Sequence, residues 1–286
     1  MKRIVKYIAC IVLPVLSLIS CGKEETIIPS SVINLRYETT PGRIVLRWDT
    51  PQDENIKYIQ ADYYNPLTRK DERRLASIYA DSLEIPDTRR KYGEYTFSVK
   101  TVSLTNDYSE TETITAVSEA AEKTWIPSAV KLTADMLYTN AQEPTEGPIV
   151  NLLDDNTGTF FHTAWSKSIP SPHYMTVTLP ETIDGWWNFY YAPRNNSNNK
   201  PTDFDLEGSM DGSSWFLIRN FTKEADGLPT DKTTAYTSER LNVADKPFNH
   251  LKFSVNKTNN NTVYWTMSEF KIYKVTLIDP EAPDEE

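Results

Sequence analysis

Short strand-like segments follow one another along residues 32–117, and this pattern limits most strongly what the chain can fold into. Apolar residues alternate within them, as Ile44, Leu46 and Trp48 do, which places them on one face of a strand. Turn signals such as Pro41-Gly42 separate the segments. Closely spaced strands without a helical period predict a β-sandwich. The predicted strands cover residues 32–38, 43–49, 56–64, 74–80, 94–102 and 110–117.

A second β unit follows at residues 125–276. Met175, Val177 and Leu179 alternate there, and Asp211-Gly212 is a hairpin signal. The polar residues 119–124 have no strand period and predict a linker. The fold class is therefore all-β, with two β-sandwich domains at 32–118 and 125–276. The acidic, proline-containing tail at 277–286 is predicted to be disordered.

The first twenty residues have the order of an export signal, with Lys2, Arg3 and Lys6 before an apolar run that is too short to span a membrane. The run ends at Ser20-Cys21-Gly22, which resembles a lipobox. This resemblance implies a signal peptide at 1–20, lipidation of Cys21, a tether at 21–31 and an outer-membrane lipoprotein. The run Lys23-Glu24-Glu25 resembles a surface-display signal, so we expect the anchor to face the cell exterior. The alternatives are an ordinary secretory signal and a solvated tether.

Cysteine content and charge exclude several classes of function. Cys10 leaves with the signal, so no disulfide is expected after processing. The signal carries three positive and no negative residues, so the formal charge changes from -10 to -13 on its removal. No basic stripe is available to release counterions, so nucleic acid is not an expected partner.

The first domain resembles a fibronectin type III domain over residues 32–118. The residues that carry the likeness are Leu46-Arg47-Trp48, Pro51-Gln52-Asp53 and the segment 93–99. Tyr95 occupies the position where such domains place a tyrosine that bonds back to the chain at a corner. The resemblance implies an immunoglobulin/fibronectin-like sandwich, whose expected role is a spacer.

The second domain resembles the discoidin domains, also called coagulation-factor type C domains, which include the family 32 carbohydrate-binding modules. Its segment 152–163 matches the signature loop, although Asp155 stands where glycine is usual and Phe161 where tryptophan is usual. Further matches follow in the family's order at residues 172–179, 191–194, 207–215 and 268–273. The resemblance implies a galactose-binding-like jelly roll.

The resemblance also implies a structural calcium site in the signature loop. Calcium prefers several carboxylate and carbonyl oxygens, which a tight acidic turn supplies. The expected ligands are Asp154, Asn156, Thr159 and Glu269. The alternative is a turn stabilised by its own Asp and Asn side chains without a metal.

A carbohydrate site is expected beside this loop. His162, Trp165 and Lys167 resemble the His-x-x-Trp-x-Arg loop of galactose-binding family members, and aromatic faces suit the C–H side of a sugar. Because Lys167 replaces the arginine, a galactose-type ligand is one option rather than a requirement. In the alternative interpretation, His162 only caps the turn and Trp165 is a core residue. The remaining expected sugar contacts are Arg194, Asn196, Asn199, Tyr264 and Trp265.

A catalytic function is not expected. The chain has three histidines, and it has neither a nucleophile elbow nor a zinc-spaced His/Cys set. The leading hypothesis is a non-enzymatic surface lipoprotein that captures glycans for a neighbouring importer or glycoside hydrolase. The alternative is an adhesin or assembly lipoprotein that uses the same loops to bind a protein partner.

Overall fold

The computed structural model describes residues 26–284 and divides the chain into two compact units. The N-terminal unit comprises Met1–Glu122 together with Pro280–Glu286, and the C-terminal unit comprises Lys123–Asp279. In the part of the chain that is described, no helix is both long and apolar enough to cross a membrane.

The predicted N-terminal processing features lie outside the described residues. These features are the signal at 1–20, the lipidation residue Cys21 and the run Lys23-Glu24-Glu25. They stay predictions.

The N-terminal unit is a sandwich of two antiparallel sheets, as the strand pattern predicted. One sheet has the order β1-β2-β5 and the other the order β4-β3-β6-β7. Trp48 and Phe97 are fully buried in its core. The Tyr95 hydroxyl accepts a hydrogen bond from the Arg89 N–H at 2.8 Å, which fixes the corner before β6. The strands are β1 Ile33–Thr40, β2 Arg43–Asp49, β3 Ile56–Asn65, β4 Lys70–Ala76, β5 Ser82–Ile85, β6 Glu94–Ser103 and β7 Glu112–Val117.

The strand predicted over residues 74–80 was placed wrongly. The chain forms β4 at Lys70–Ala76 and then a turn in which the Ala80 N–H donates to the Ser77 carbonyl at 3.0 Å. β4 is an edge strand with mostly exposed, charged side chains, so its residues lack the apolar alternation that marks the other strands.

The C-terminal unit is the predicted jelly roll. Its main sheets have the orders β14-β13-β17-β11-β9 and β15-β12-β19-β8, with β16 also paired to β12, and β10 pairs with β18 in a small separate sheet. Its only described α-helix is α1 Lys223–Asp226. The strands are β8 Thr124–Ala129, β9 Leu137–Thr139, β10 Phe161–His162, β11 His173–Ile183, β12 Trp186–Ala192, β13 Pro201–Ser209, β14 Phe216–Thr222, β15 Tyr236–Thr237, β16 Leu241–Asn242, β17 Phe248–Thr258, β18 Thr266–Met267 and β19 Glu269–Ile278.

An aromatic core holds the two main sheets of this unit together. Phe204 and Phe253 stack with ring centroids 4.2 Å apart, and Phe189 meets Phe221 edge to face at 5.3 Å. All four side chains are buried. Burying each such ring contributes about 1.5–3 kcal/mol, and the ring geometry adds to this. Aromatic packing is therefore a main contribution to the stability of this unit.

Two boundary predictions need correction. The predicted linker at 119–124 overlaps the first strand of the C-terminal unit, because β8 begins at Thr124 and pairs there with Ile278 of β19. This register also extends β19 two residues beyond the predicted domain end at 276.

The predicted disorder of the acidic tail at 277–286 is also wrong for its described part. The Glu281 carboxylate accepts hydrogen bonds from the N–H groups of Lys91 and Ala121, both at 2.8 Å. Lys91 Nζ lies 2.7 Å from Asp284 Oδ1. The tail is ordered because its carboxylates meet donors of a basic 3-10 turn at Arg90–Tyr92.

Candidate functional site

The segment 162–165, which contains predicted sugar contacts, is hydrogen-bonded on both sides within the C-terminal unit. On one side β10 pairs with β18, with His162 opposite Thr266, and the Trp265 N–H donates to Thr163 Oγ1 at 2.8 Å. On the other side the Ala164 N–H donates to the Ala141 carbonyl at 2.8 Å. The chain therefore enters the loop at residue 165 from a fixed position.

Glu143 holds the loop itself and was not predicted from the sequence. Its side chain is almost fully buried. Oε2 accepts from the N–H groups of Trp165 and Ser166 at 3.0 Å each, and Oε1 accepts from the Ser166 and Thr145 hydroxyls at 2.7 and 2.9 Å. Burial acts to raise the pKa of Glu143, but the hydrogen bonds from Ser166, Trp165 and Thr145 outweigh it and lower the pKa to about 2. The residue is therefore an ionised anchor for the loop at neutral pH.

Trp165 is presented to solvent at the end of this anchored segment. Its side chain is 52% exposed, which argues against a core role. The indole Nε1–H donates to Glu146 Oε1 at 3.0 Å, so the ring edge is held while a face stays accessible. Glu146 is a second residue that the sequence analysis missed.

Arg194 lies in the same cluster as Trp165. One of its guanidinium nitrogens is 3.9 Å from Glu146 Oε2, and its Cζ lies 3.3 Å from the centroid of the Phe160 ring. Stacking on an aromatic face and pairing with a carboxylate both restrict the guanidinium. An exposed indole, a carboxylate and a guanidinium thus share one surface.

His162 lies beneath this surface. It is buried, and its Nδ1–H donates to the Thr163 carbonyl at 2.7 Å. Burial lowers its pKa, so the ring is neutral at physiological pH. Its ring centroid lies 6.0 Å from that of Tyr264, which is half-buried.

Among the other predicted sugar contacts, one side chain is exposed and two already accept hydrogen bonds within the protein. Lys167 is exposed. Asn196 Oδ1 accepts from the Asn198 N–H at 3.2 Å, and Asn199 Oδ1 accepts from the Thr262 hydroxyl at 3.1 Å, so both amide oxygens help to hold their loops. Asn199 adopts a φ of 59°, which asparagine tolerates better than most residues.

Trp265 was wrongly predicted as a wall of the site. It is fully buried, its Nε1–H donates to the His173 carbonyl at 3.0 Å, and its ring meets Phe161 edge to face at 5.1 Å. The backbone of Trp265 is bonded to Thr163, and its side chain is directed into the core. Only its neighbour Tyr264 remains partly accessible.

Lys200 is a third residue that the sequence analysis missed. It is buried behind the Arg194 loop, and its Nζ donates to the Arg194 carbonyl at 2.5 Å. Burial, with a smaller effect from the Arg194 charge, lowers the pKa of Lys200 to about 8. The amine therefore holds the backbone of the loop whose guanidinium lies in the site.

The predicted calcium ligands are neighbours in the structure. Glu269 is buried, and its Oε1 accepts from the Asn156 N–H at 2.7 Å. Asp154 Oδ1 accepts from the same N–H, and Asp154 Oδ2 accepts from the Thr159 hydroxyl at 2.7 Å. Asp155 takes a φ of 56° and pairs with Lys271, so the turn forms without the usual glycine.

The environment of Glu269 Oε2 indicates whether these residues could bind a cation. It is buried and meets no hydrogen-bond donor among the described residues. Burial and the nearby Asp154 carboxyl raise the pKa of Glu269. Residues 26–284 contain no group of three or more His, Cys, Asp or Glu side chains suited to a metal. The fit therefore depends on two carboxylates supplemented by neutral oxygens, which is a donor set that calcium accepts.

Comparison with family models assigns both parts of the chain. Residues 29–118 match a model described as a domain of unknown function (DUF4959). Residues 137–270 match the F5/8 type C domain model. The C-terminal unit thus matches the F5/8 type C family over most of its length. This assignment agrees with the jelly roll and with the order of the signature segments.

Individual relatives of the chain share only limited identity with it. A sialidase from Micromonospora viridifaciens is 32% identical over 74 residues, which are 24% of this chain and 11% of the sialidase. The match thus spans about a tenth of that relative's length.

Several solved structures are also similar. CpGH89CBM32-5 from Clostridium perfringens, in complex with GalNAc-β-1,3-galactose, is 18% identical, with a TM-score of 0.41 over 48% of this chain and 94% of that one. The family 32 module of C. perfringens NanJ, in complex with galactose, is 17% identical, with a TM-score of 0.41 over 52% of this chain and 100% of that one. A SusE-like protein is 13% identical, with a TM-score of 0.39 over 85% of this chain and 97% of that one.

Proposed function

We propose that the F5/8 type C domain binds glycans without catalysis, through the surface formed by Trp165, Glu146 and Arg194. The observation that carries this proposal is the exposed Trp165 indole, whose backbone is fixed by buried Glu143 and whose ring edge is fixed by Glu146. An exposed indole face offers a contact surface for a sugar, and a ring whose edge is already fixed loses little freedom on binding.

The chemistry of the surface suits a sugar. An indole face packs against the C–H side of a pyranose ring, while charged groups at its rim bond to hydroxyls. Glu146 accepts hydrogen bonds, Arg194 and Lys167 donate them, and the Tyr264 hydroxyl does either. The Glu146 carboxylate and the Arg194 guanidinium compensate each other beside the indole, which suits a neutral glycan, and a galactose-type sugar stays one option.

Calcium would have a structural role next to this surface. Asp154 and Glu269 would hold it, and Asn156 and Thr159 would supply further oxygens. The ion would neutralise two neighbouring carboxylates and pin the loop that precedes Phe160, which supports Arg194.

In the cell, the proposed site would work on an anchored protein. The predicted lipidation of Cys21 would place it on the outer membrane, facing the exterior, where it would capture glycans for a neighbouring importer or hydrolase. Many copies on one membrane would compensate for weak single sites by avidity.

A glycan array, probed with and without a calcium chelator, tests ligand and metal together. We expect Trp165→Ala to abolish binding of mono- and oligosaccharides on the array while the thermal unfolding temperature stays close to wild type, because the ring is half exposed. Tyr79→Ala is the matched control, since Tyr79 is an exposed aromatic residue of the N-terminal unit.

The opposite results would remove the proposal. If the wild-type chain binds no glycan on the array, or if Trp165→Ala binds as well as wild type, the loop surface is not a sugar site. Absence of glycan binding together with co-purification of one surface protein would favour the adhesin or assembly alternative.

A further inference from the structure

The outer face of the sheet β14-β13-β17-β11-β9 carries a groove that the loop site does not explain. Its volume is about 390 Å³, within the rough range of 300–1,000 Å³ for ligand pockets. We call it the sheet-face groove; its principal lining residues are Tyr138, Tyr174, Thr178, Trp215, His250 and Lys252.

The groove runs across neighbouring strands. Tyr138 of β9 lies opposite Thr176 of β11, and Thr176 lies opposite Lys252 of β17. Neighbouring strands are about 4.8 Å apart, so the row from Tyr138 to Lys252 spans roughly 10 Å. Tyr138 is 58% exposed at the end of this row, although the solvent face of an antiparallel sheet is ordinarily polar.

Trp215 forms one wall of the groove and is placed there by a rigid hairpin. The Asp211 carboxylate accepts from the N–H groups of Ser213 and Ser214 at 2.7 Å each, and it lies 3.0 Å from the Ser209 hydroxyl that donates to it. These bonds lower the pKa of Asp211, so the carboxylate stays ionised. Gly212 lies against the His250 ring, where a side-chain carbon would come within 3.5 Å of it.

Lys252 joins the walls of the groove. Its Nζ lies 4.6 Å from the Trp215 ring centroid and 5.8 Å from that of Tyr174. It also lies 2.7 Å from Glu207 Oε2 on β13, so its charge is already compensated. A cation held between two rings fixes their positions before any ligand arrives.

The charges around the groove indicate which ligand it suits. Beyond Glu207, β13 presents Asp203 and Asp205 on the same face. Both carboxylates are held by the amides of Asn220 and Asn256 at 2.7–3.1 Å. With one compensated lysine and two further carboxylates nearby, an anionic ligand would be repelled.

We propose that the sheet-face groove is a second glycan-binding surface, which takes a segment of a neutral polysaccharide chain. Tyr138, Tyr174 and Trp215 supply rings for the C–H faces of sugars, and the Thr178–His250 pair, with its atoms 3.2 Å apart, supplies hydroxyl partners. The open, strand-crossing shape suits a chain interior rather than a single terminal sugar. The proposal shares only its ligand class with the proposed loop site, since no residue is common to both.

Affinity electrophoresis of the full chain in gels that contain glucomannan, xyloglucan, galactomannan or arabinogalactan tests this proposal. Alginate and polygalacturonate serve as acidic comparators, and free galactose is titrated separately. We expect Tyr138→Ala and Trp215→Ala each to weaken retention by at least one neutral polymer roughly two- to tenfold, also in a Trp165→Ala background. Tyr79→Ala should be retained like wild type, and Tyr138→Ala carries the test if Trp215→Ala is unstable.

The outcomes separate the two surfaces. If the groove variants are retained more weakly by a neutral polymer while Trp165→Ala is retained like wild type, the groove is supported and the loop site is removed. Complete loss of polymer retention through Trp165→Ala alone overturns the groove and leaves the loop site standing. Groove variants that are retained like wild type, retention by acidic polymers only, or no retention of wild type by any neutral polymer each overturn the groove as well.

Discussion

Replacing Glu143 by alanine or by glutamine separates the charge of this residue from the hydrogen bonds that it accepts. The alanine variant removes all acceptors for the Trp165 and Ser166 N–H groups and for the Ser166 and Thr145 hydroxyls. The glutamine variant keeps them paired, because its oxygen accepts from the two N–H groups while its amide donates to the two hydroxyls.

The expected magnitude follows from the freedom that the alanine variant would return to the loop. Trp165 and Ser166 would become mobile and would have to be ordered again on binding. Fixing the backbone of one residue costs about 1–2 kcal/mol, so two residues cost roughly 2–4 kcal/mol. This corresponds to a dissociation constant raised between about 30-fold and about 1,000-fold. The Ala164 N–H bond to Ala141 still restrains the loop, so we expect the lower end.

The assay is a calorimetric titration of wild type, Glu143→Ala and Glu143→Gln with the glycan that wild type binds best on the array. Glu143→Gln should stay within about threefold of wild type, because its hydrogen bonds persist. A pH series adds a second readout. Since the folded-state pKa of Glu143 lies below its ordinary value of 4.5, its stabilisation of the loop is fully present above that value and is lost as the pH falls towards about 2. Glu143→Gln should lack this transition.

Two results would refute this account of the loop. The first is a folded Glu143→Ala variant whose dissociation constant equals that of wild type. The second is a Glu143→Gln variant as weak as Glu143→Ala, which would show that charge rather than hydrogen bonding positions Trp165.

Two further predictions concern the supports of the site. Lys200→Met should remove the pH dependence that Lys200 gives the domain in urea unfolding. Because the folded-state pKa of Lys200 is about 8, below its ordinary value of 10.5, wild type should gain stability between pH 8 and 10.5 and the variant should not; equal pH profiles would contradict this. Calcium at 100 times its dissociation constant should raise the unfolding temperature by about 5–10 °C in differential scanning fluorimetry. Asp154→Asn and Glu269→Gln should reduce that rise, and an unfolding temperature unaffected by calcium would exclude the site.

The sequence was informative where a local pattern dictates the structure. Strand alternation predicted both sandwiches, and the signature loop at 152–163 predicted that Asp154, Asn156 and Thr159 share one turn. The spacing of His162 and Trp165 along the chain placed both in the segment that now includes the exposed indole. These features depend on residues a few positions apart.

Most of the errors and omissions depend on contacts between segments that are distant along the chain. Trp165 and Trp265 looked alike as candidates, but Trp265 packs against Phe161 in the core, whereas Trp165 is exposed. Glu143 reaches Trp165 across 22 residues, and no motif marks an acidic residue as the anchor of a loop that far away. Glu281 accepts a hydrogen bond from Lys91, 190 residues away. The acidic composition of the tail therefore predicted disorder, although this distant contact orders it.

The charged groups of the loop surface are largely committed before any ligand arrives. Glu146 holds the Trp165 indole, and Arg194 stacks on Phe160. Because these charged groups are already paired, ligand selection depends on the geometry of the indole ring rather than on free charge. This favours a neutral sugar bound at modest affinity. Modest affinity is sufficient only where many sites act together or where one chain meets two surfaces. The proposed anchoring at Cys21 and the proposed sheet-face groove would supply these two conditions independently.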